Sequence, residues 1–409
     1  LTPPVKPLPF PEFVAMLAML FATVAFSIDA MLPSLSAIAA DLSPQAVNRA
    51  QLVVTIFMLG MGVGTLVAGP LSDSFGRKRV VVIGMGIYCL AALIAAQAQS
   101  LELLLAARLV QGLGAAGPRV VTLAMVRDLY VGRRMAQVMS FVMTVFILVP
   151  VIAPTLGAWI AGFWGWRAVF LSFVVFGVVA GSWLMLRQPE TLPPETRRPL
   201  HLGPVLAALR EVFSSRMVVI CIGALSLGFG QMFIFLSTSP QIFTDIFDKG
   251  HSFHYWFALV ALAAGTSGLV NASLVMRLGM RLLASTAFAT QAVLSALALL
   301  AFALAPLSPQ AEFALFFAYM AGAFFMIGLT FGNLNALALE PMGHIAGMAS
   351  AVVGAVSTIL AVLLAAPAAL LYNGTVFPLI TSVMLCSGLA FVLLRRLRPG
   401  GPDAPDRPD

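Results

Sequence analysis

Apolar residues in this chain come in blocks and not in alternation. Runs of about twenty residues, nearly free of charge, recur from residue 13 to residue 394 with short polar loops between them. A helix that is apolar all round for ~20 residues can cross a bilayer. Twelve such spans are predicted, at about 13–36, 48–70, 79–97, 101–125, 136–158, 166–186, 216–238, 253–275, 281–304, 312–335, 344–366 and 374–394. The longest polar connection falls between the sixth and the seventh. The pattern therefore predicts an all-α polytopic membrane protein: a tail 1–12, a six-helix bundle 13–186, a linker 187–215, a second six-helix bundle 216–394 and a tail 395–409. The linker holds Pro189, Pro193, Pro194 and Pro199, and 201–213 has the period of a helix lying on the membrane surface.

Composition leaves no room for a water-soluble fold. Of 409 residues 60% are hydrophobic and 10% charged, with a mean hydropathy of +1.00, against about 25% charged in soluble domains. The net charge of +7 would suggest nucleic acid in a soluble protein, but here the cations sit in short loops. Of the 23 Lys and Arg, 18 fall on one side of the predicted topology, including Lys6, Arg77, Lys78, Arg79, Arg198, Arg398 and Arg407. Only Arg49, Arg167 and Lys249 fall on the other. By the positive-inside rule both termini are cytoplasmic. The first apolar stretch is too long for a cleavable signal peptide. Cys89, Cys221 and Cys386 lie inside apolar runs and read as packing residues. The four histidines show no metal spacing, so no metal is expected. Neither clustered nucleophiles nor a nucleotide-binding motif is present. An enzyme is thus disfavoured, and ATP is not the direct energy source.

Ions are costly in hydrocarbon, so an ionisable residue inside a span is a functional candidate. Asp29 lies about sixteen residues into span 1, roughly 24 Å along a helix, with Pro33 four residues on. Arg108 lies about seven residues into span 4 from the other direction, roughly 10 Å down and at a similar depth. The two could pair across the bundle or face one water-filled cavity; alternatively Asp29 is interfacial and Arg108 snorkels outward. Arg119, after Pro118, either snorkels to the cytoplasmic headgroups or pairs with Asp73.

Between spans 2 and 3 the chain reads Gly69-x-Leu71-x-Asp73-x-x-Gly76-Arg77-Lys78. This resembles the signature loop of the major facilitator superfamily of secondary transporters. In span 4, Arg108-x-x-Gln111-Gly112-x-Gly114-x-x-Gly117 is similar to the arginine-glycine motif of its proton-coupled drug antiporters. Pro150-x-x-Ala153-Pro154-x-x-Gly157 in span 5 resembles their proline-glycine motif, with Ala153 where glycine is usual. Asp29-x-x-Leu32-Pro33, Arg127-Asp128, Gly165-Trp166-Arg167-x-x-Phe170 and Arg187-x-Pro189-Glu190-Thr191-Leu192 resemble the Bcr/CflA subfamily of drug:proton antiporters. The likeness is densest over 27–192. A faint internal repeat sets Met276-Arg277-Leu278-Gly279-Met280-Arg281 opposite 73–78.

The resemblance implies a major facilitator fold of twelve helices in two pseudo-symmetric bundles. It also implies proton-coupled efflux of lipophilic drugs across the bacterial inner membrane by a monomer with no cofactor. The same machinery could instead export a sugar or amino-acid-like metabolite. Asp29 and Arg108 are the expected proton-coupling pair. Gly69, Asp73, Gly76, Arg77, Lys78, Arg119 and Arg127 form the expected conformational switch, and Pro150, Pro154 and Gly157 the antiporter helix motif. Cavity candidates are Phe57, Met58, Tyr88, Phe146, Gln231, Phe235, Phe325, Asn333 and Asn335, of which the asparagines stand out because polar amides avoid lipid.

Overall fold

The computed structural model describes residues 8–197, 202–304 and 306–397, and every element among them is helical. Lys6, Arg198, Arg398 and Arg407, counted above for charge asymmetry, lie outside the described residues, as does most of the tail 395–409. The chain divides into two compact units, Leu1–Leu202 and Gly203–Asp409.

The N-terminal unit contains α1 (Phe10–Asp29), α2 (Leu35–Leu42), α3 (Leu52–Phe75), α4 (Arg77–Ala96), α5 (Leu101–Leu129), α6 (Gly132–Trp164) and α7 (Trp166–Arg187). The short α8 (Leu202–Ser214) lies within the linker, where the helical period is expected. The C-terminal unit then has α9 (Arg216–Asp245), α10 (Phe253–Leu278), α11 (Met280–Leu304), α12 (Pro309–Leu339), α13 (Ala346–Leu370) and α14 (Phe377–Arg395). Span 1 differs from expectation, because it is a broken helix. Pro33 has no N–H to offer the Asp29 carbonyl four residues back. α1 therefore stops at Asp29, and a 3₁₀ turn over Leu32–Ser34 leads into α2. The apolar helical run Pro309–Leu370 is 62 residues long, about 93 Å if straight, against a hydrocarbon core of about 30 Å. It breaks at Glu340–Ile345, where Met342 leaves helical dihedrals, and so supplies two spans. Twelve spans result.

Start signals are local. Ser100, Ser215 and Ser308 accept the backbone N–H groups of Leu103, Val218 and Ala311 at the heads of α5, α9 and α12, as N-caps do. Between α3 and α4, Gly76 has φ +100, a conformation that side chains other than glycine adopt at a cost. Gly279 holds the equivalent place between α10 and α11, with φ +75. The faint sequence repeat is thus a backbone repeat.

Packing repeats as well. In the N-terminal unit α5 packs on α3 and α4, α4 on α7, and α1 on α6. In the C-terminal unit α12 packs on α10 and α11, α11 on α14, and α9 on α13. Counted from the start of each unit, these are the same four pairs of spans. Small residues permit the closest approaches, the usual device of membrane helices. A Cβ on Gly112 of α5 would collide with the Phe57 carbonyl of α3, and one on Gly157 of α6 with the Ala30 carbonyl just past the end of α1.

Gly112→Leu should therefore force α3 and α5 apart. An overpacked contact costs about 1–3 kcal/mol or more, so folded yield in detergent and the unfolding temperature should both fall. Gly69→Ala, where a Cβ meets nothing within 4 Å, should leave both unchanged.

Candidate functional site

The interior of the N-terminal unit is organised around Arg108. Its side chain is fully buried, at 0% exposure. Nε donates to the Val53 carbonyl of α3 (3.1 Å), Nη2 to the Ser27 carbonyl of α1 (3.1 Å) and Nη1 to Gln111 Oε1 (2.8 Å). The guanidinium lies over the Phe57 ring, 4.2 Å from its centre, with Phe170 at 5.9 Å. Hydrogen bonds from a charged donor are worth about 1.5–3 kcal/mol each, and a desolvated cation–π contact about 2 kcal/mol. Arg108 thus ties α1, α3, α5 and α7 together without an acid. Outward snorkelling does not occur. Beside it, the Tyr88 hydroxyl of α4 is hydrogen-bonded to Ser27 Oγ, which itself donates to the Thr23 carbonyl (2.7 Å).

Asp29 is 5% exposed, two residues beyond Ser27 and at the break of α1. It does not pair with Arg108, whose three hydrogen bonds go to the two carbonyls and the glutamine. Among the described residues no hydrogen bond or ion pair reaches the Asp29 carboxylate. The expected pair is therefore an indirect one, in which the cation holds the Ser27 carbonyl of the same helix end. Gly157 packs on Ala30, the next residue, so the span 5 motif abuts the Asp29 break. Pro150 and Pro154 lie inside α6, which runs unbroken past both.

The loop at 69–80 is arranged around Arg77. Its guanidinium pairs with Asp73 and with Asp128 at the end of α5 (3.1 Å), and donates to Ser72 Oγ (2.7 Å). Glu190, just past α7, accepts the Arg77 and Lys78 backbone N–H groups at 2.8 and 3.2 Å. A carboxylate thus caps the N-terminus of α4, where the helix dipole favours negative charge. Of the two expectations for Arg119, the pairing with Asp73 is not realised, and Arg127, expected in the same switch, does not pair with Asp73 either. Arg127 is exposed, with Nε on the Leu123 carbonyl at 3.5 Å. Asp73 already has Arg77, an i,i+4 neighbour. Arg119 reaches instead to Met61 Sδ on α3, at 3.3 Å. Glu190 and Asp128 belong to the sequence motifs, but nothing in a one-dimensional pattern links them to Arg77.

The cavity candidates divide. Phe57, Met58 and Tyr88 are buried packing, with Phe57 and Tyr88 belonging to the Arg108 cluster. Phe146 lies on α6, and its side chain is outside the described residues. In the C-terminal unit Gln231 Oε1 accepts from Ser387 Oγ (2.9 Å), and Phe235 packs against Tyr319 and Phe324. Asn333 Nδ2 donates to Asn271 Oδ1 (2.6 Å) and the Leu329 carbonyl, while Asn335 donates to its own helix at Phe331. Phe325 is half-buried. One further pairing escaped the sequence reading. Tyr88 lies eleven residues after the first residue of α4, and Gln291 eleven after that of α11. Gln111 lies ten after the start of α5, and Tyr319 ten after that of α12. The tyrosine and the glutamine have exchanged helices between units, and each tyrosine hydroxyl meets a serine, Ser27 or Ser295.

Removing the α4 cap should be measurable. Glu190→Ala leaves the Arg77 and Lys78 amides without their partner, and a lost cap costs about 0.5–2 kcal/mol. The unfolding temperature of the purified protein should drop accordingly, whereas Glu195→Ala, in the same linker, should not move it.

Comparison with known proteins agrees with this architecture. A bicyclomycin resistance protein homolog of Haemophilus influenzae is 30% identical over 400 residues, covering 95% of this chain and 98% of that one. The multidrug resistance protein MdtL of Escherichia coli is 31% identical over 384 residues, covering 92% and 93%. Among solved structures, the xylose transporter XylE of E. coli, in a partially occluded inward-open conformation, superposes with a TM-score of 0.74. Its identity is 14%, over 95% of this chain and 98% of that one. At that identity it speaks for the fold alone. The family model for the Major Facilitator Superfamily matches residues 14–366, and the chain belongs to that superfamily.

Proposed function

We propose that this transporter exports lipophilic, drug-like small molecules in exchange for protons, by alternating access across the bacterial inner membrane. Phenicol or bicyclomycin-like antibiotics are among the candidates. The resistance names of relatives that cover nearly the whole chain support drug export. One observation carries the proton step: Asp29 is a buried carboxylate at a helix break, with no hydrogen bond or ion pair among the described residues. An acid inside a span with no partner is the side chain suited to carry a proton through the cycle. When it is ionised, a cation that holds the same helix end is Arg108, whose hydrogen bonds go to neutral acceptors. Losing or gaining the Asp29 proton then shifts the balance between Arg108 gripping the Ser27 carbonyl and Arg108 turning toward the acid. Because Ser27 and Asp29 share the end of α1, that balance acts on the broken span. The loop at 69–80, with Gly69, Asp73, Gly76, Arg77 and Lys78, serves as the conformational switch on the cytoplasmic face, and both termini lie on that face. The protein acts as a monomer and draws only on the proton gradient.

Cells lacking their own exporters provide the test. The chain should lower drug accumulation while a proton gradient is present, and the effect should vanish when the gradient is collapsed. Asp29→Asn, nearly the same size and with no ion pair to break, should give normal amounts of folded protein and no gradient-driven efflux. Full coupling in the Asn variant would remove Asp29 from the mechanism.

A further inference from the structure

Among the described residues, the Asp, Glu, Lys and Arg side chains between the first and last turns of the spans are few. Asp29 at the break of span 1 and Arg108 and Arg119 in α5 are the ones found; the helices of the C-terminal unit carry theirs within a turn or so of their ends. Two cations and one acid leave the interior with a positive excess.

Arg119 is the group that the exchange mechanism does not use. Eleven residues separate it from Arg108, three turns of helix, so both project from the same face of α5. The exposed positions over the first part of α5 are Glu102, Leu103, Ala106, Val110 and Leu113, a stripe on the opposite side. Arg119 therefore faces away from lipid. Its direction along the helix is equally informative. Met61 lies level with Gly112, since a Cβ there would sit 2.8 Å from the Met61 nitrogen. Gly112 precedes Arg119 by seven residues, about 10 Å. To touch Met61 Sδ, the side chain leans back toward the start of α5 and away from the basic-loop end, the lean that helical side chains favour. It does not snorkel. Phe57, under Arg108, and Met61, under Arg119, are one turn apart on α3. The two guanidinium groups, anchored three turns apart, thus converge toward one turn of α3.

Arg119 makes one contact there, to a thioether, which is a weak acceptor. No carboxylate lies within ion-pair distance among the described residues, and the residue is half-buried, where Arg108 is sealed. A half-buried guanidinium with unspent donors and no counter-ion is suited to a planar oxyanion, which it can grip with two parallel N–H bonds. We infer that Arg119 is a specificity-determining residue that receives a carboxylate of the transported molecule, so that the preferred cargo is a lipophilic monoanion. The inference rests on the export reading and sharpens its substrate class. A lipid phosphate offers similar chemistry and is separated by the test.

Binding of aromatic carboxylates of increasing size, each against its matched carboxamide, should be measured on the purified full-length protein. Wild type should prefer carboxylates by about 10-fold or more, the worth of one charge-assisted contact. Arg119→Met should erase that preference while leaving amide affinity and the unfolding temperature in place, and Arg119→Lys should restore part of it. Three results would overturn the assignment: no carboxylate bound preferentially by wild type, a preference that survives in Arg119→Met, or equal weakening of both series. Added phosphatidylglycerol should affect wild type and Arg119→Met alike. If it stabilises only wild type, while carboxylates have no effect, the site belongs to a lipid headgroup. Export of neutral drugs that persists through any of these failures would leave the export reading standing.

Discussion

A guanidinium buried in a membrane must find its acceptors inside the protein, because the surrounding hydrocarbon offers none. Arg108 meets that demand with the carbonyls of Ser27 and Val53 and the amide of Gln111. Each acceptor comes at a structural condition. α1 and α3 must present their backbones at the right height, and α5 must approach α3 closely enough for the side chain to reach, which Gly112 allows. The small residues of the span 4 motif and its arginine are therefore one device. The glycine brings the backbones together, and the charge makes their exact relation costly to change.

Much of the fold was legible because the bilayer imposes a length on every span. Apolar blocks located the twelve spans, with ends that differ by up to seven residues, and charge punctuation located the loops. The break in span 1 was implicit in Pro33, although the apolar run continuing to Ala40 concealed it. Side-chain partners were a different matter. Position along a span gives an expected height for Asp29 and Arg108, but it gives no azimuth, and among the described residues the two groups do not pair. For Arg119 a usable signal existed. The backward lean of helical side chains argued against a reach forward to Asp73, and the eleven-residue spacing from Arg108 argued for a shared face.

The loop at 69–80 illustrates contacts that no periodicity encodes. Asp73 and Arg77 are neighbours in sequence and found each other. Asp128 and Glu190 come from 51 and 113 residues away. They meet Arg77 because α5 and α7 both deliver their ends to the head of α4. Gly76 makes room for the arrangement, since any Cβ there would collide with the Glu190 carboxylate. The glycine in this motif is thus explained by a residue from the far end of the bundle as much as by its own φ.

The two units share one packing scheme but not one electrical character. An elementary charge moved through the whole membrane potential exchanges about 2.3 kcal/mol per 100 mV. In the C-terminal unit the described spans hold no Asp, Glu, Lys or Arg away from their ends, so little formal charge of that unit lies deep in the field. Asp29, Arg108 and Arg119 lie within the field, all in the N-terminal unit. Whatever voltage sensitivity the transport cycle possesses is carried by that half of the chain, while the other half supplies an uncharged body of the same architecture.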